Sequence, residues 1–190
     1  MQTEILIAGF GGQGVLFAGQ LLAYAAMDEG KEVTWIPSYG PEMRGGTANC
    51  TVVIADEEIG SPMVRHPQAV IAMNRPSLDK YEYVIQAGGL LVVNASMVDR
   101  PVERSDVRSV IMPGNEIAEA LGDRRMTNMV LLGGLLANLP ILSLDALQRA
   151  LHAHLPVRHQ RLLPLNVQAM QRGAQYQAVE VYTDPHSLQV

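Results

Sequence analysis

The feature that most constrains this chain is a glycine-rich turn between a strand pattern and a helix pattern near its N-terminus. Residues Ile5–Ala8 form an apolar run without alternation, which predicts a strand buried on both faces of a parallel sheet. Three glycines then fit the spacing G-x-G-x-x-G, and an apolar-rich helix pattern follows. The turn consists of Gly9, Gly11, Gly12, Gln13 and Gly14. Because glycine allows close approach to backbone N–H groups and a helix N-terminus adds free donors, the turn predicts a site for an anion or a partner.

A dinucleotide site requires a second element, an acidic residue at the tip of the next strand, about 20 residues beyond the glycines. The next strand pattern covers Glu32–Ile36, with Glu32 at its beginning and Glu42 well past its end. Neither carboxylate is at the tip, so the sequence disfavours binding of free NAD or FAD. A tight turn without any nucleotide remains an alternative to the anion or partner site.

A second unusual segment follows this strand. Its candidate site residues are Ser38, Tyr39, Gly40, Pro41, Glu42, Arg44, Gly45 and Gly46. Three glycines and a proline in this segment disfavour regular structure, yet it also carries an aromatic ring and two charges. In an open α/β sheet it would lie beside the glycine turn, at the carboxyl ends of the strands, where such folds place their sites. The alternative is a connecting loop whose Glu42 and Arg44 are only solvated.

The remaining patterns alternate between strands and helices. Strands are predicted at 47–55, 69–73, 90–94 and 107–112, and helices at 77–85, 115–121, 129–139 and 165–171. This alternation predicts a single α/β domain: a three-layer, mostly parallel, doubly wound sheet over residues 1–176, followed by a tail at 177–190. Thr127 and Asn128 are expected to cap the apolar helix 129–139. Its adjacent Gly133 and Gly134 predict close packing against another backbone.

Composition narrows the function. Hydrophobic residues make up 48% of the chain and charged residues only 17%, which predicts a surface partly covered by other chains and self-association of the isolated protein. The net charge of −5 argues against nucleic-acid binding. No signal peptide or membrane-spanning segment is read, so we expect a cytoplasmic protein. The single cysteine excludes an internal disulfide or a cluster held by this chain's own cysteines.

Several other side chains have two interpretations. Cys50 is predicted to be a small core residue rather than a nucleophile. The three histidines His152, His154 and His159 lack nearby acidic or cysteine ligands, so no metal site is predicted. Phe17 falls on the polar side of the first helix, either under a loop or against a partner. Arg149, Arg158 and Arg161 form a solvated face or meet a phosphate or an acidic partner, and the solvated face is favoured.

These motifs together resemble a known family. The segments 7–15 and 38–46, the run Asn128-Met129-Val130 and the pair Leu165-Asn166 are similar to the gamma subunit of 2-oxoacid:ferredoxin oxidoreductases, over nearly the whole chain. The segment Ser-Tyr-Gly-Pro-Glu-x-Arg-Gly-Gly is more similar to members acting on 2-oxoglutarate and branched-chain acids than to those acting on pyruvate or indolepyruvate. The resemblance implies a Rossmann-like subunit, inactive alone, with no catalytic residue identified in this chain.

The resemblance also implies a reaction and its partners. The complex would oxidatively decarboxylate a 2-oxoacid, with 2-oxoglutarate expected, and coenzyme A to acyl-CoA, CO2 and reduced ferredoxin. Thiamine diphosphate and 4Fe-4S clusters would be held by alpha and beta subunits, with a delta subunit as a further candidate partner. The two glycine segments are the candidate cofactor-binding or partner-facing residues, with Glu42 orienting Arg44 toward a partner or a phosphate. The alternatives are a stand-alone nucleotide-binding oxidoreductase and a purely structural partner subunit.

Overall fold

The computed structural model describes residues 1–39 and 46–180, and within them a seven-stranded sheet is flanked by helices. The strands are β1 Gln2–Phe10, β2 Glu32–Tyr39, β3 Thr47–Ala55, β4 Ala69–Ala72, β5 Leu90–Asn94, β6 Arg108–Met112 and β7 Val179–Glu180. The α-helices are α1 Val15–Asp28, α2 Arg75–Tyr81, α3 Gly114–Ala120, α4 Thr127–Asn138, α5 Leu144–His154 and α6 Leu163–Gly173. Short 3-10 turns lie at Glu82–Val84, Ala95–Met97, Arg124–Met126 and Val157–Leu162.

The sheet has the order β2-β3-β1-β4-β5-β6-β7. Strands β1, β4, β5 and β6 pair in parallel, whereas β3 pairs antiparallel with both β1 and β2, and β7 antiparallel with β6. Strands β1, β2, β4, β5 and β6 therefore run in one direction, and β3 and β7 in the other. The predicted mostly parallel α/β sheet is confirmed, and its carboxyl edge gathers the ends of β1, β4, β5 and β6.

Apolar runs without alternation form the centre of this sheet, as the sequence predicts. All four residues of β4 and all five of β5 are buried, because helices or loops cover both faces there. On one face, a core that includes Ile5 and Ile7 of β1 packs against α1, α4, α5 and α6. On the other face, Leu6 and Ala8 pack with Leu78 of α2. This arrangement is the predicted three-layer sandwich.

The glycines of α4 allow two helices to touch backbone to backbone. A Cβ atom on Gly133 would overlap the carbonyl oxygen of Met170 in α6, and one on Gly173 would overlap that of Val130. The predicted close packing of the Gly133-Gly134 pair is thus confirmed. It packs α4 and α6 directly against each other on one face of the sheet. No helix in the described ranges is long and apolar enough to cross a membrane.

Candidate functional site

The glycine turn joins the end of β1 to the start of α1. Gly12 and Gly14 have φ angles of 97° and 75°, in the region that favours glycine. The side chain of Gln13 folds back, and its Oε1 accepts a hydrogen bond of 2.6 Å from the backbone N–H of Phe10. The backbone N–H of Gln13 donates to the Phe10 carbonyl at 3.1 Å. The turn is therefore held by its own glutamine while the helix end remains directed outward.

The second predicted segment reaches this turn through its last residue. The backbone N–H of Gly11 donates to the carbonyl of Gly46 at 2.9 Å, so the two glycine segments are in contact as expected. Ser38 is exposed near the end of β2, and Tyr39 is the last residue of that strand. Both belong to the sheet and lie one strand further from the turn, because β3 separates β2 from β1. The other predicted residues of the segment, Gly40, Pro41, Glu42, Arg44 and Gly45, lie outside the described residues.

Two cavities flank the turn. One, of about 540 Å³, lies between the turn, the first residues of α1 and Gly46–Ala48. The other, of about 460 Å³, lies between Gly11–Gln13 and the segment that leads into α4, where Arg124, Arg125 and Thr127 line it together with Met97 and Asn115. Both volumes fall in the range of small-molecule sites, roughly 300–1,000 Å³. The glycine turn is therefore a wall shared by two open cavities.

Arg124 and Arg125 give the second cavity a positive wall that the sequence analysis missed. Arg125 Nη2 lies 2.6 Å from Asp123, and the hydrogen bond from Arg125 lowers the pKa of that carboxyl. Arg124 lies 3.6 Å from Glu119, and its side chain is 60% exposed. The Arg124 pair is long and solvent-exposed, so it holds that guanidinium group weakly and leaves it able to turn toward an anion. Arg125 donates to both carboxylate oxygens of Asp123, through Nε and Nη2, which holds its guanidinium group beside the cavity. The sequence pattern that could have predicted this positive wall is the pair of arginines just before the apolar helix, after the strand pattern 107–112.

A row of buried amides lies beneath the turn, and it too was missed. Gln13 Oε1 accepts from Asn74 Nδ2 at 3.0 Å, and Asn74 also caps α2 by accepting from the N–H of Ser77 at 3.0 Å. Asn94 donates to Asn115 at 3.2 Å. Each asparagine follows or ends a strand of the parallel region, at the edge where binding sites collect. An asparagine at or just after the end of β4, β5 and β6 is the pattern from which the sequence could have predicted these residues.

Asn128 ties the turn to α4 from the other side. Its Nδ2 donates to the carbonyl of Gly14 at 3.1 Å, and it is only 5% exposed. A Cβ atom on Gly14 would overlap this amide, so Gly14 is required both by its backbone angle and by the asparagine. The predicted capping role is wrong: α4 begins at Thr127, and Asn128 lies within the helix.

The chemistry of the lining suits an anion. The described residues that line the two cavities include no histidine, cysteine, aspartate or glutamate. Cys50 is buried in the core below α1, where burial raises the pKa of its thiol to about 12, as expected of a core residue rather than a nucleophile. No group of three or more metal-ligating side chains occurs in the ranges 1–39 and 46–180. The cavities offer N–H donors, a helix N-terminus and two arginines, which together suit a phosphate or a carboxylate.

The sheet order also bears on nucleotide binding. In a dinucleotide fold the second strand lies beside the first and carries the acidic residue that holds the ribose. Here β3 lies between β1 and β2, which moves the tip of β2 about 10 Å from the turn at the usual strand spacing. This geometry disfavours a stand-alone dinucleotide pocket.

The chain is similar in sequence and in fold to subunits of oxidoreductases. The family model described as pyruvate ferredoxin/flavodoxin oxidoreductase matches residues 4–176. The 2-oxoglutarate synthase subunit KorC of Methanothermobacter marburgensis is 37% identical over 180 residues, covering 91% of this chain and 95% of that subunit. The ketoisovalerate oxidoreductase subunit VorA of the same organism is 42% identical over 144 residues, 76% of this chain. The matched part is 30% of VorA, so the chain spans less than a third of that relative.

A solved structure shows the same fold. The gamma subunit of a keto/oxoacid ferredoxin oxidoreductase from Geobacter sulfurreducens superposes with a TM-score of 0.78 at 29% identity. The match covers 91% of this chain and 96% of that subunit.

Proposed function

The chain belongs to the pyruvate ferredoxin/flavodoxin oxidoreductase family, and we propose that it is the gamma subunit of a 2-oxoacid:ferredoxin oxidoreductase complex. The complex converts a 2-oxoacid, with 2-oxoglutarate as the first candidate, and coenzyme A to acyl-CoA, CO2 and reduced ferredoxin. The observation that carries the proposal is the similarity to KorC along nearly the full length of both chains.

The partner subunits hold the reactive cofactors in this proposal. Thiamine diphosphate supplies the electron sink for decarboxylation and 4Fe-4S clusters carry the electrons away. The single cysteine of this sequence is buried and cannot form a cluster site of its own. Alpha and beta subunits, and a delta subunit where one is present, are therefore the proposed holders of both groups.

The contribution of this chain is a binding surface for coenzyme A. The glycine turn and the N-terminus of α1 face one cavity, and Arg124 and Arg125 line the other. Phosphate groups suit both features, because backbone N–H groups and guanidinium groups donate to the same anionic oxygens. Arg44, oriented by Glu42, is a further proposed donor to a phosphate or to a partner chain.

The first experiment isolates the complex anaerobically through a tag on this chain and identifies the chains that copurify. Coenzyme A-dependent dye reduction is then measured with 2-oxoglutarate, branched 2-oxoacids and pyruvate. Copurifying thiamine- and cluster-bearing subunits with activity on 2-oxoglutarate are expected. A lone chain that binds NAD or FAD tightly would contradict the proposal and support a stand-alone oxidoreductase.

The second experiment tests the binding role. Replacing Arg124 and Arg125 together by alanine should raise the KM for coenzyme A about tenfold or more, because each charged hydrogen bond contributes about 1.5–3 kcal/mol. The KM for the 2-oxoacid and the assembly of the complex should stay unchanged. Arg65→Ala, at an exposed site distant in sequence from the turn, is the control. Loss of activity only in proportion to lost assembly would instead support a purely structural subunit.

Arg44→Ala tests the second glycine segment in the same assay. A raised KM for coenzyme A or weakened assembly is expected. If assembly, acyl-CoA formation and the KM for coenzyme A all stayed at wild-type values, Arg44 would have no role in the site.

A further inference from the structure

A third cavity lies between α1 and α5, next to the two that flank the glycine turn: it shares Phe17 with the first of them and Arg125 with the second. We call it the α1–α5 groove. It has a volume of about 530 Å³, and its apolar lining comes from both helices and from the segment after α5. The apolar lining residues are Leu21, Met126, Leu151, Leu155 and Leu162. Phe17, which the sequence placed on the polar side of α1, also lines it. The groove thus exposes apolar surface that the described part of the chain does not fill.

One wall of the groove is a stacked pair of rings. The rings of Tyr24 and His154 stack with centroids 4.2 Å apart and planes 11° from parallel. His154 Nε2 lies 3.0 Å from Asp28, and Gln20 donates to the hydroxyl of Tyr24 at 3.2 Å. The stacked rings form one side of the groove, and both line it.

The rim is positively charged although the chain as a whole has a net charge of −5. Arg125, Arg158 and His159 line the groove, and Arg161 follows on the same 3-10 turn. None of the ion pairs found within 1–39 and 46–180 includes Arg158 or Arg161. Arg158 Nε donates to His159 Nε2 at 3.2 Å, so this arginine has a neighbour but no carboxylate partner among the described residues. Two arginines without such a partner beside an apolar groove create a local field that attracts carboxylates.

Val157 shows that the surface extends beyond the cavity. It is 82% exposed and is the first residue of the arginine-bearing turn. An apolar residue outside the cavity adds nothing to a small ligand held inside it, but it belongs to the contact area of a polypeptide. Apolar residues surrounded by polar ones, with arginine enriched, are the anatomy of a protein–protein interface.

We propose that the α1–α5 groove binds an acidic segment of a partner protein, which inserts one apolar side chain between α1 and α5. Carboxylates on either side of that side chain pair with Arg158 and Arg161, and Val157 packs against the same segment. This inference rests on the proposed function, because the partner is another subunit of the complex. The alternative occupant, a small anionic molecule, is separated from it by the experiment below.

The test places a photo-crosslinking amino acid at Val157 in the full chain and isolates the assembled complex before irradiation. The same amino acid at Met63, which is apolar and 76% exposed but does not line the groove, is the matched control. We expect Val157 to crosslink to a partner segment in which carboxylates flank an apolar residue, and Met63 not to crosslink to that segment. Crosslinking to a segment without carboxylates, or none at all in an active complex, would overturn the groove proposal and leave the proposed function intact.

Charge reversal provides the second measurement. The double change Arg158→Glu and Arg161→Glu should lower the crosslink yield by about tenfold or more, because like charges facing each other disfavour binding. Arg65→Glu should leave the yield unchanged. Equal yields in the wild type and in both variants would contradict a polypeptide held through Arg158 and Arg161. A chain that copurifies with no partner would overturn both this proposal and the proposed function.

Discussion

Two regions of this protein bury polar side chains, and they do so with different chemistry. At the carboxyl edge of the sheet, buried amides bond to one another and to the backbone. Asn94, which is fully buried, donates to the Met73 carbonyl at 3.1 Å and accepts from the N–H of Gly114 at 3.0 Å. Thr127 completes the row by donating to Asn115 at 3.1 Å. No ionisable side chain takes part in these contacts.

Behind α2, the corresponding cluster is ionic. Glu82 is fully buried, and its Oε1 accepts hydrogen bonds from the N–H groups of Glu103 and Arg104, the latter at 3.0 Å. Its Oε2 lies 2.8 Å from Arg100 without the alignment of a hydrogen bond, so that contact is an ion pair. Arg100 also lies 2.6 Å from Asp79. The cluster holds the irregular segment between Met97 and β6 against α2 and the 3-10 turn that follows it.

The difference follows from what lies beside each cluster. Uncharged amides at the carboxyl edge position the glycine turn without adding a permanent charge next to the proposed anion site. The field in the two flanking cavities is then set by the end of α1 and by Arg124 and Arg125. The segment behind α2 lines neither cavity, so its charges lie away from the proposed anion site. An ionic cluster can therefore hold this segment in place.

The largest expected effect is on the ionic cluster. Glu82→Ala should lower the free energy of unfolding by about 3–5 kcal/mol, because it removes the buried carboxylate beside Arg100, which keeps only the half-exposed Asp79, and leaves two N–H groups without an acceptor. Urea denaturation measures the change. Asp99→Ala, which removes an exposed ion pair to Arg75, should cost about 1 kcal/mol or less. Equal costs for the two variants would remove the distinction between a buried clamp and a surface pair.

A change in the amide row should lower the free energy of unfolding by less, and by an amount that does not depend on pH. Asn94→Ala should cost about 2–3 kcal/mol, because several buried groups lose their partners. The cost should be the same in mildly acidic and neutral buffer, since no amide titrates there. Urea denaturation at both pH values tests this. A cost that changed with pH would show that an ionisable group is coupled to the row.

The sequence predicted the local parts of this site better than its assembly. The strand Ile5–Ala8, the glycine turn and the first helix are set by neighbouring residues, and all three are present. The insertion of β3 between β1 and β2 was not predicted, because pairing between distant strands leaves no mark in either strand's own pattern.

Long-range side-chain contacts were also beyond the sequence. Asn128 has the residue type and position of a helix cap, yet its amide bonds to Gly14, 114 residues earlier. In the sequence, Arg124 and Arg125 have only the pattern of a connecting segment. The fold places them across a cavity from Gly11 and Gly12. In each case the local pattern allowed several roles, and only the three-dimensional contact selects one.

A third prediction tests why the carboxyl-edge row is uncharged. Gln13→Glu keeps the acceptor for Phe10 and Asn74 but adds a negative charge beside the turn. We expect stability to change little and the KM of the complex for coenzyme A to rise about tenfold, since one added charge a few ångströms away costs on the order of 1–2 kcal/mol.

Gln2→Glu makes the same change at the opposite end of β1, where Gln2 is exposed, and serves as the control. It should leave the KM for coenzyme A at the wild-type value. A similar KM in both variants would mean that no anion binds near the turn, and that the neutrality of the row has another cause.

The smallest expected effect concerns the outer part of the ionic cluster. Arg104 Nε lies 2.5 Å from Asp106, and this hydrogen bond lowers the pKa of the Asp106 carboxyl below its ordinary value of 3.8. A lowered folded-state pKa contributes stability that is present above 3.8 and is lost as the pH falls through the folded-state value. Asp106→Asn should therefore be slightly less stable than wild type at neutral pH, with the gap closing on acidification. Urea midpoints measured across the acid range test this, and a gap that persisted to the lowest pH would show that the Asp106 charge is not its source.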